Sequence, residues 1–111
     1  MSAVFHKEIL DSVARTASGQ SNPFKVYDVV DPILLVNVTA VSGTLPTLDI
    51  DVEVSADELT WFTVSKFARI TGTGQTPKEL GTLAKYMRLN YTIGGSSTPT
   101  FTFDVQLEGK Q

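Results

Sequence analysis

The sequence predicts an all-β fold, an antiparallel β-sandwich of about eight strands. Three observations predict it. Residues 47–55, TLDIDVEVS, alternate apolar and polar without a break. Residues 100–108, TFTFDVQLE, do the same. Clusters of Gly, Pro, Ser and Asp recur at short intervals between apolar stretches, as turns between short strands require. Half-buried strands of this kind belong to antiparallel sheets with one wet face, because parallel strands read as continuous apolar runs.

The elements follow in chain order. Over residues 7–16, Ile9, Val13 and Arg15 suit a strand, while Ile9, Leu10, Val13 and Ala14 also suit a short helix; we take the strand. The polar stretch 16–23, TASGQSNP, reads as a surface loop. It divides an N-terminal segment, 1–23, able to act as an arm, from a sandwich domain, 24–111. Residues 24–30 read as a strand ended by Asp31 and Pro32. Residues 33–41 are rich in β-branched side chains, with Leu34, Val36, Val38 and Ala40 on the inward face and Leu35 and Val41 partly covered on the other. Ser42, Gly43 and Pro46 then break the chain.

In residues 47–55, Leu48, Ile50, Val52 and Val54 face the core, opposite Asp49, Asp51, Glu53 and Ser55. A polar turn at 55–58 leads to a strand over 60–64, whose Trp61 is assigned to the core as the sole tryptophan. Gly72, Gly74 and Pro77 open a loop. Residues 86–93 alternate Met87, Leu89, Tyr91 and Ile93 against Tyr86, Arg88, Asn90 and Thr92. A loop over 94–99, GGSSTP, joins them to the last strand, with Phe101, Phe103, Val105 and Leu107 inward.

Composition narrows the function classes. A chain of 111 residues suits one domain. The net charge of −3 and the scattered nine Lys and Arg argue against nucleic acid and against an anionic membrane surface. No cysteine is present, which excludes disulfides and thiolate metal sites. The first 20 residues carry no apolar core after a basic start, and the longest apolar run, 33–36, cannot span a bilayer. A protein made in a cytoplasm is expected.

No motif points to catalysis, and no catalytic, cofactor-binding or metal-ligating residue is expected. Asp49, Asp51 and Glu53 are spaced to share a hard cation, but calcium sites wrap the ion with curved backbone; a solvated face opposed by Lys or Arg is expected instead. Asp57 and Glu58 read as turn residues, not as a carboxylate pair in a cleft. His6, the sole histidine, has no second ligand or nucleophile in its segment. Gly72, Gly74, Gly94 and Gly95 serve turns and form no phosphate loop. Trp61, Phe62 and Tyr86 are the aromatics that a sugar-stacking face would use.

The stretch 48–103 resembles a class of small virion proteins of tailed bacteriophages. The residues that carry the resemblance are TLDIDVEVSADELTWFTV (47–64) and AKYMRLNYTIGGSSTPTFTFDVQL (84–107). Within them, Asp49, Asp51, Asp57, Thr60, Trp61, Tyr86, Arg88, Thr92, Gly94, Gly95 and Pro99 match the pattern. The layout is also similar to jelly-roll and discoidin-like sandwiches, where it reports fold. The resemblance implies a capsid decoration (cement) protein or a minor head or tail component, located in the virion. Such a protein is no enzyme: it binds the major capsid protein lattice or other virion proteins, as a homo-oligomer that is often a trimer. It uses no cofactor, nucleic acid or membrane. The N-terminal segment would reach across subunit junctions. A carbohydrate-binding β-sandwich module of a tail or cell-wall protein is the alternative, and a small hydrolase a weaker third reading.

Overall fold

The structure, a computed structural model, describes residues 4–26 and 28–111. Residues 1–3 of the expected arm, and Tyr27 in the strand expected over 24–30, lie outside the described residues. Among the described residues, seven strands form one antiparallel hydrogen-bonded network: β1 (Val4–Arg15), β2 (Gly19–Gln20), β3 (Phe24–Lys25), β4 (Val30–Ser55), β5 (Phe62–Lys66), β6 (Gly74–Glu79) and β7 (Tyr86–Lys110).

The centre is a ribbon of two long strands. β4 has 26 residues and β7 has 25, and they pair from Val30 opposite Lys110 to Ser55 opposite Tyr86. At about 3.3 Å per residue, β4 alone would extend roughly 85 Å. The molecule is only 47 Å in its longest dimension, so the ribbon must fold over. It does so where the register shifts between Ser42 and Thr47. One half, residues 30–42 with 100–110, carries β6 and β1 on its flanks and forms the first sheet. The other half, 47–55 with 86–94, carries β5 on one side and β2 and β3 on the other, and forms the second sheet. A folded-over antiparallel ribbon is the construction principle of a jelly roll.

Backbone sterics explain why the fold falls there. Gly43 (φ 102°) and Gly95 (φ 122°) occupy the left-handed region. A Cβ on Gly43 would come within 2.7 Å of the Pro99 Cα, and one on Gly95 within 2.9 Å of the Leu45 carbonyl. Only glycine fits at both points. Leu45, Ser97 and Thr98 also hold positive φ there. The breaks expected at Ser42–Pro46 and at 94–99 are therefore bends within continuous strands, not strand ends.

The inward faces of the two sheets merge into one core. Leu34, Val36 and Val38 from the first sheet meet Leu48, Ile50, Val52, Met87 and Leu89 from the second, with Phe101, Phe103, Val105 and Leu107 at the centre. The Tyr91 and Phe103 rings meet edge to face across the sheets, centroids 5.6 Å apart. Each fully buried side chain of this size contributes about 1.5–3 kcal/mol.

Several expectations are corrected. Ala40 is exposed rather than inward: the ladder slips between Val38 and Ala40, and such a slip sends the next side chain to the other face. Val41 packs against the core in its place. The strand expected over 24–30 is only Phe24–Lys25. Residues 74–79, expected in a loop, form β6; its Pro77 is tolerated because β6 lies at an edge. The strand expected over 60–64 is Phe62–Lys66. The segment taken as an arm supplies β1 and β2, and residues 7–16 lie in a strand, apart from Thr16. The polar stretch 16–23 lines the second sheet, because the hydroxyls of Ser18 and Ser21 accept the Ile93 and Leu89 backbone N–H groups.

Candidate functional site

The wet face of the second sheet carries the acidic row. Asp49, Asp51 and Glu53 are half-buried along β4. Asp49 and Glu53 each meet an arginine. Arg69 grips Asp49 with two bonds, Nε to Oδ1 at 3.1 Å and Nη2 to Oδ2 at 3.0 Å. That carboxylate holds the Arg69 guanidinium proton more firmly than usual, through the hydrogen bond and then through its charge. Asp51 stands opposite Lys66 on β5 and Asn90 on β7. Arg88 donates from Nε to Glu53 Oε1 at 2.7 Å, in the least exposed ion pair of the molecule among the described residues. The row is a charge-matched sheet face, as expected for cross-strand pairs.

Trp61 belongs to this face and not to the core. Its ring lies 4.2 Å from the Arg88 guanidinium carbon, and it is only partly buried. The core assignment is corrected: Trp61 sits before β5, at the sheet margin, where it covers the Glu53–Arg88 pair. Tyr86 carries Lys85 over its ring at 5.4 Å. Phe62 is 61% exposed.

The turn after β4 is closed by side chains. The buried Ser55 hydroxyl accepts the N–H groups of Asp57 and Glu58 and donates to Asp57 Oδ1. Asp57 Oδ1 also accepts from Leu59 N and Thr60 N, at 2.8 and 3.0 Å. Those two backbone donors, then Ser55, hold the Asp57 carboxyl below the ordinary aspartate value. Glu58 takes the strained left-handed position, φ 64°. Both acids are engaged as turn residues.

His6 lies on β1 and meets Glu108 Oε1 through Nδ1 at 3.0 Å, both side chains about half exposed. Of the candidate glycines, Gly94 and Gly95 lie at the ribbon bend, and Gly72 and Gly74 flank the start of β6. The structure thus gathers Asp49, Asp51, Glu53 and Trp61 on one face, and leaves His6, Asp57 and the glycines apart.

Sequence reasoning missed Arg15. Its side chain turns inward at the end of β1, over the Phe103 ring at 4.8 Å and the Tyr91 ring at 5.8 Å. It donates to the Phe103 carbonyl at 3.0 Å and meets Asp11 at 3.3 Å. The one available signal was a basic residue in phase with apolar Val13 on a strand. The wet face of the first sheet holds an open groove of about 290 Å³. Leu35 and Pro77 form its apolar part, and Asn37, Gln75, Asp104 and Gln106 its polar part. Both Asp104 oxygens accept amide donors, from Asn37 at 3.3 Å and from Gln106 at 3.2 Å.

Large apolar side chains stand in solvent at turns and edges. Leu45 at the ribbon bend is 85% exposed and Leu59 in the 55–60 turn is 83% exposed. Phe62 and Val64 on β5 are exposed as well, Val64 at 51%.

No protein-family model matches the sequence, and no curated protein matches it. Solved structures share the fold. PBSX exported protein XepA aligns over 95% of this chain and 36% of its own, at a TM-score of 0.65 and 11% identity. A chain in the structure of infectious bursal disease virus Gx strain aligns over 98% of this chain and 32% of its own, at 0.54 and 10% identity. A chain from the structure of Bacillus endospore appendages, described as disulfide-linked pili, aligns over 98% of this chain and 89% of its own, at 0.50 and 10% identity. This chain spans 36% and 32% of the length of the first two. At such identities the likeness is one of fold.

Proposed function

We propose that this chain is a structural protein of a phage virion, and within the virion a decoration protein that binds and stabilises the head lattice. The observation that carries the reading is the exposure of Leu45, Leu59, Phe62 and Val64 at turns and an edge. Large apolar side chains left in water offer contact area that another protein can bury. Asp49 and Glu53 of the acidic row are held in ion pairs and Asp57 in turn bonds, which supports a role by contact rather than by turnover. The phage-like residues at 47–64 and 84–107 span the second sheet, the turn after it, the ribbon bend and the β7 half of the first sheet, and the resemblance they carry supports the virion assignment. A protein that binds only assembled lattice stabilises it by mass action.

Heads purified without the chain test this. Added protein is expected to co-sediment with them to saturation and to raise their disruption temperature. Heads that neither bind it nor gain stability overturn the reading.

A second reading, a carbohydrate-binding module, draws on the groove of Asn37, Gln75, Asp104 and Gln106 beside Leu35 and Pro77. Amides and a carboxylate beside an apolar floor suit sugar hydroxyls and a sugar face. Binding on a glycan array, lost in Asp104→Ala, is its expected signature; silence on the array removes it.

A further inference from the structure

We propose that the ribbon-bend end of the molecule is the surface by which this chain seats on the head lattice, with Leu45 as a knob that enters an apolar socket in an uncharged protein surface. The inference rests on the decoration reading for the identity of that protein, and names the part of this chain that touches it.

Charge is distributed unevenly along the sandwich. Four stretches, 16–24, 32–48, 70–77 and 89–103, contain no Asp, Glu, Lys, Arg or His. The register brings parts of all four to one end. Residues 42–47 and 94–99 form the bend itself. Ile70 bridges Leu48, just after the bend, and Gly74 starts β6 opposite Val38. Ser18 accepts the Ile93 N–H, beside Gly94. At the border of this end, Arg69 is held by Asp49, and Arg15 turns inward with its side chain 11% exposed. At the opposite end, Val4 and Val30 both pair with Lys110, and Asp28, Asp31 and Glu108 lie close by along the chain.

A charge-free end is suited to burial. The centres of protein interfaces are depleted of charge, because a buried ion loses its hydration. The hydroxyls of the bend also find partners within the chain. Thr44 Oγ1 donates to Ser97 Oγ at 3.3 Å, and Thr100 Oγ1 to the Thr98 carbonyl at 3.2 Å. A partner can cover them without leaving a donor unpaired.

Leu45 supplies the apolar anchor. It is the most exposed large apolar side chain among the described residues, at 85%. It also holds φ 48°, in the left-handed region that a residue with a Cβ avoids. Within the chain this side chain brings strain and almost no burial. Its gain comes from burial in another molecule. The bend favours a protein over a bilayer as that molecule. One leucine with no Lys or Arg beside it lacks the second signal that stable membrane attachment needs.

Heads purified without the chain are mixed with wild type, Leu45→Asp and Leu45→Gly, and bound protein is read by co-sedimentation. Leu45→Asp is expected to raise the dissociation constant at least about tenfold, because it places a carboxylate in the socket. Leu45→Gly is expected to weaken binding as well, while its urea midpoint stays at or above that of wild type, because glycine relieves the strain. Wild-type binding is expected to change by less than about twofold between low and high salt. A wild type that binds heads while Leu45→Asp binds equally well overturns the proposal and leaves the decoration reading standing. Binding that high salt abolishes does the same. A Leu45→Gly chain less stable than wild type gives the side chain to the fold and also overturns it. Co-sedimentation of wild type with phosphatidylcholine vesicles gives the tip to a membrane instead. A wild type that fails to bind heads removes the decoration reading, and this contact with it.

Discussion

β1 and β5 are both edge strands, yet their cations face opposite ways. On β1, Arg15 and Lys7 turn inward and lie over the rings of Phe103 and Phe24. On β5, Lys66 points to the wet face and Phe62 stands 61% exposed. The β1 edge is stapled to the core by its charges, and a partner strand would have to strip them from the rings. The β5 edge keeps its apolar groups outside and its charge beside Asp51. The two edges thus differ in how they are protected: β1 by inward charge, β5 by its short length, its bulge and the outward Lys66.

The largest expected effect tests the ring on which Arg15 rests. Phe103→Ala removes a fully buried side chain and the platform of the β1 staple together. It is expected to cost about 3–5 kcal/mol, read as a lower urea midpoint. A loss below 1 kcal/mol would mean that the two sheets do not meet at this ring.

Lys7→Val removes an inward charge from β1 and makes that edge resemble β5. Stability is expected to change by under about 1 kcal/mol, while light scattering at high concentration rises. If the variant stays as monodisperse as wild type, inward charge is not what guards β1.

The turn that leads into β5 depends on Asp57, whose folded pKa lies below its unfolded value. Its stabilising contribution is therefore complete above the unfolded carboxylate range, and it is lost as pH falls through the folded value. The stability advantage of wild type over Asp57→Asn is expected at neutral pH and shrinks below about pH 4. Urea midpoints of both proteins across this range check it; a gap that widens on acidification contradicts it.

The smallest effect belongs to Arg69 and Asp49, on the wet face behind β5. Both side chains are substantially exposed, at 62% and 35%. Arg69→Ala is expected to lower the urea midpoint only slightly, and by less at high salt. A larger, salt-independent loss would show that this face is shielded from water.

The legible parts of the sequence were those where a single local pattern acts alone. Residues 47–55 and 101–107 alternate strictly, and both place the expected side chains in the core. The acidic row was legible as a charge-matched face for the same reason, since partners across a ladder must share its side. Ala40 was misplaced because one slipped residue reverses the alternation, and nothing in the local composition marks the slip. Ser18 and Ser21 read as loop because a hydroxyl that replaces a ladder carbonyl leaves no apolar period. Trp61 was placed inside on the habit of its residue type, whereas its ring covers an ion pair at the sheet margin.

By itself, then, the sequence determined the all-β class, the inward faces of the two longest runs and the turn at 55–58. Each follows from contacts between residues close along the chain or from a period of two. Only the tertiary structure decided that the apparent breaks at Gly43 and Gly95 are one fold in a continuous ribbon, because those glycines are needed for contacts with Pro99 and Leu45, each about fifty residues away in sequence. It alone decided which strands end the sheets, and so which edge is covered by its own charges. Edge and centre differ by the neighbour a strand acquires from elsewhere in the chain, and no local pattern records that neighbour.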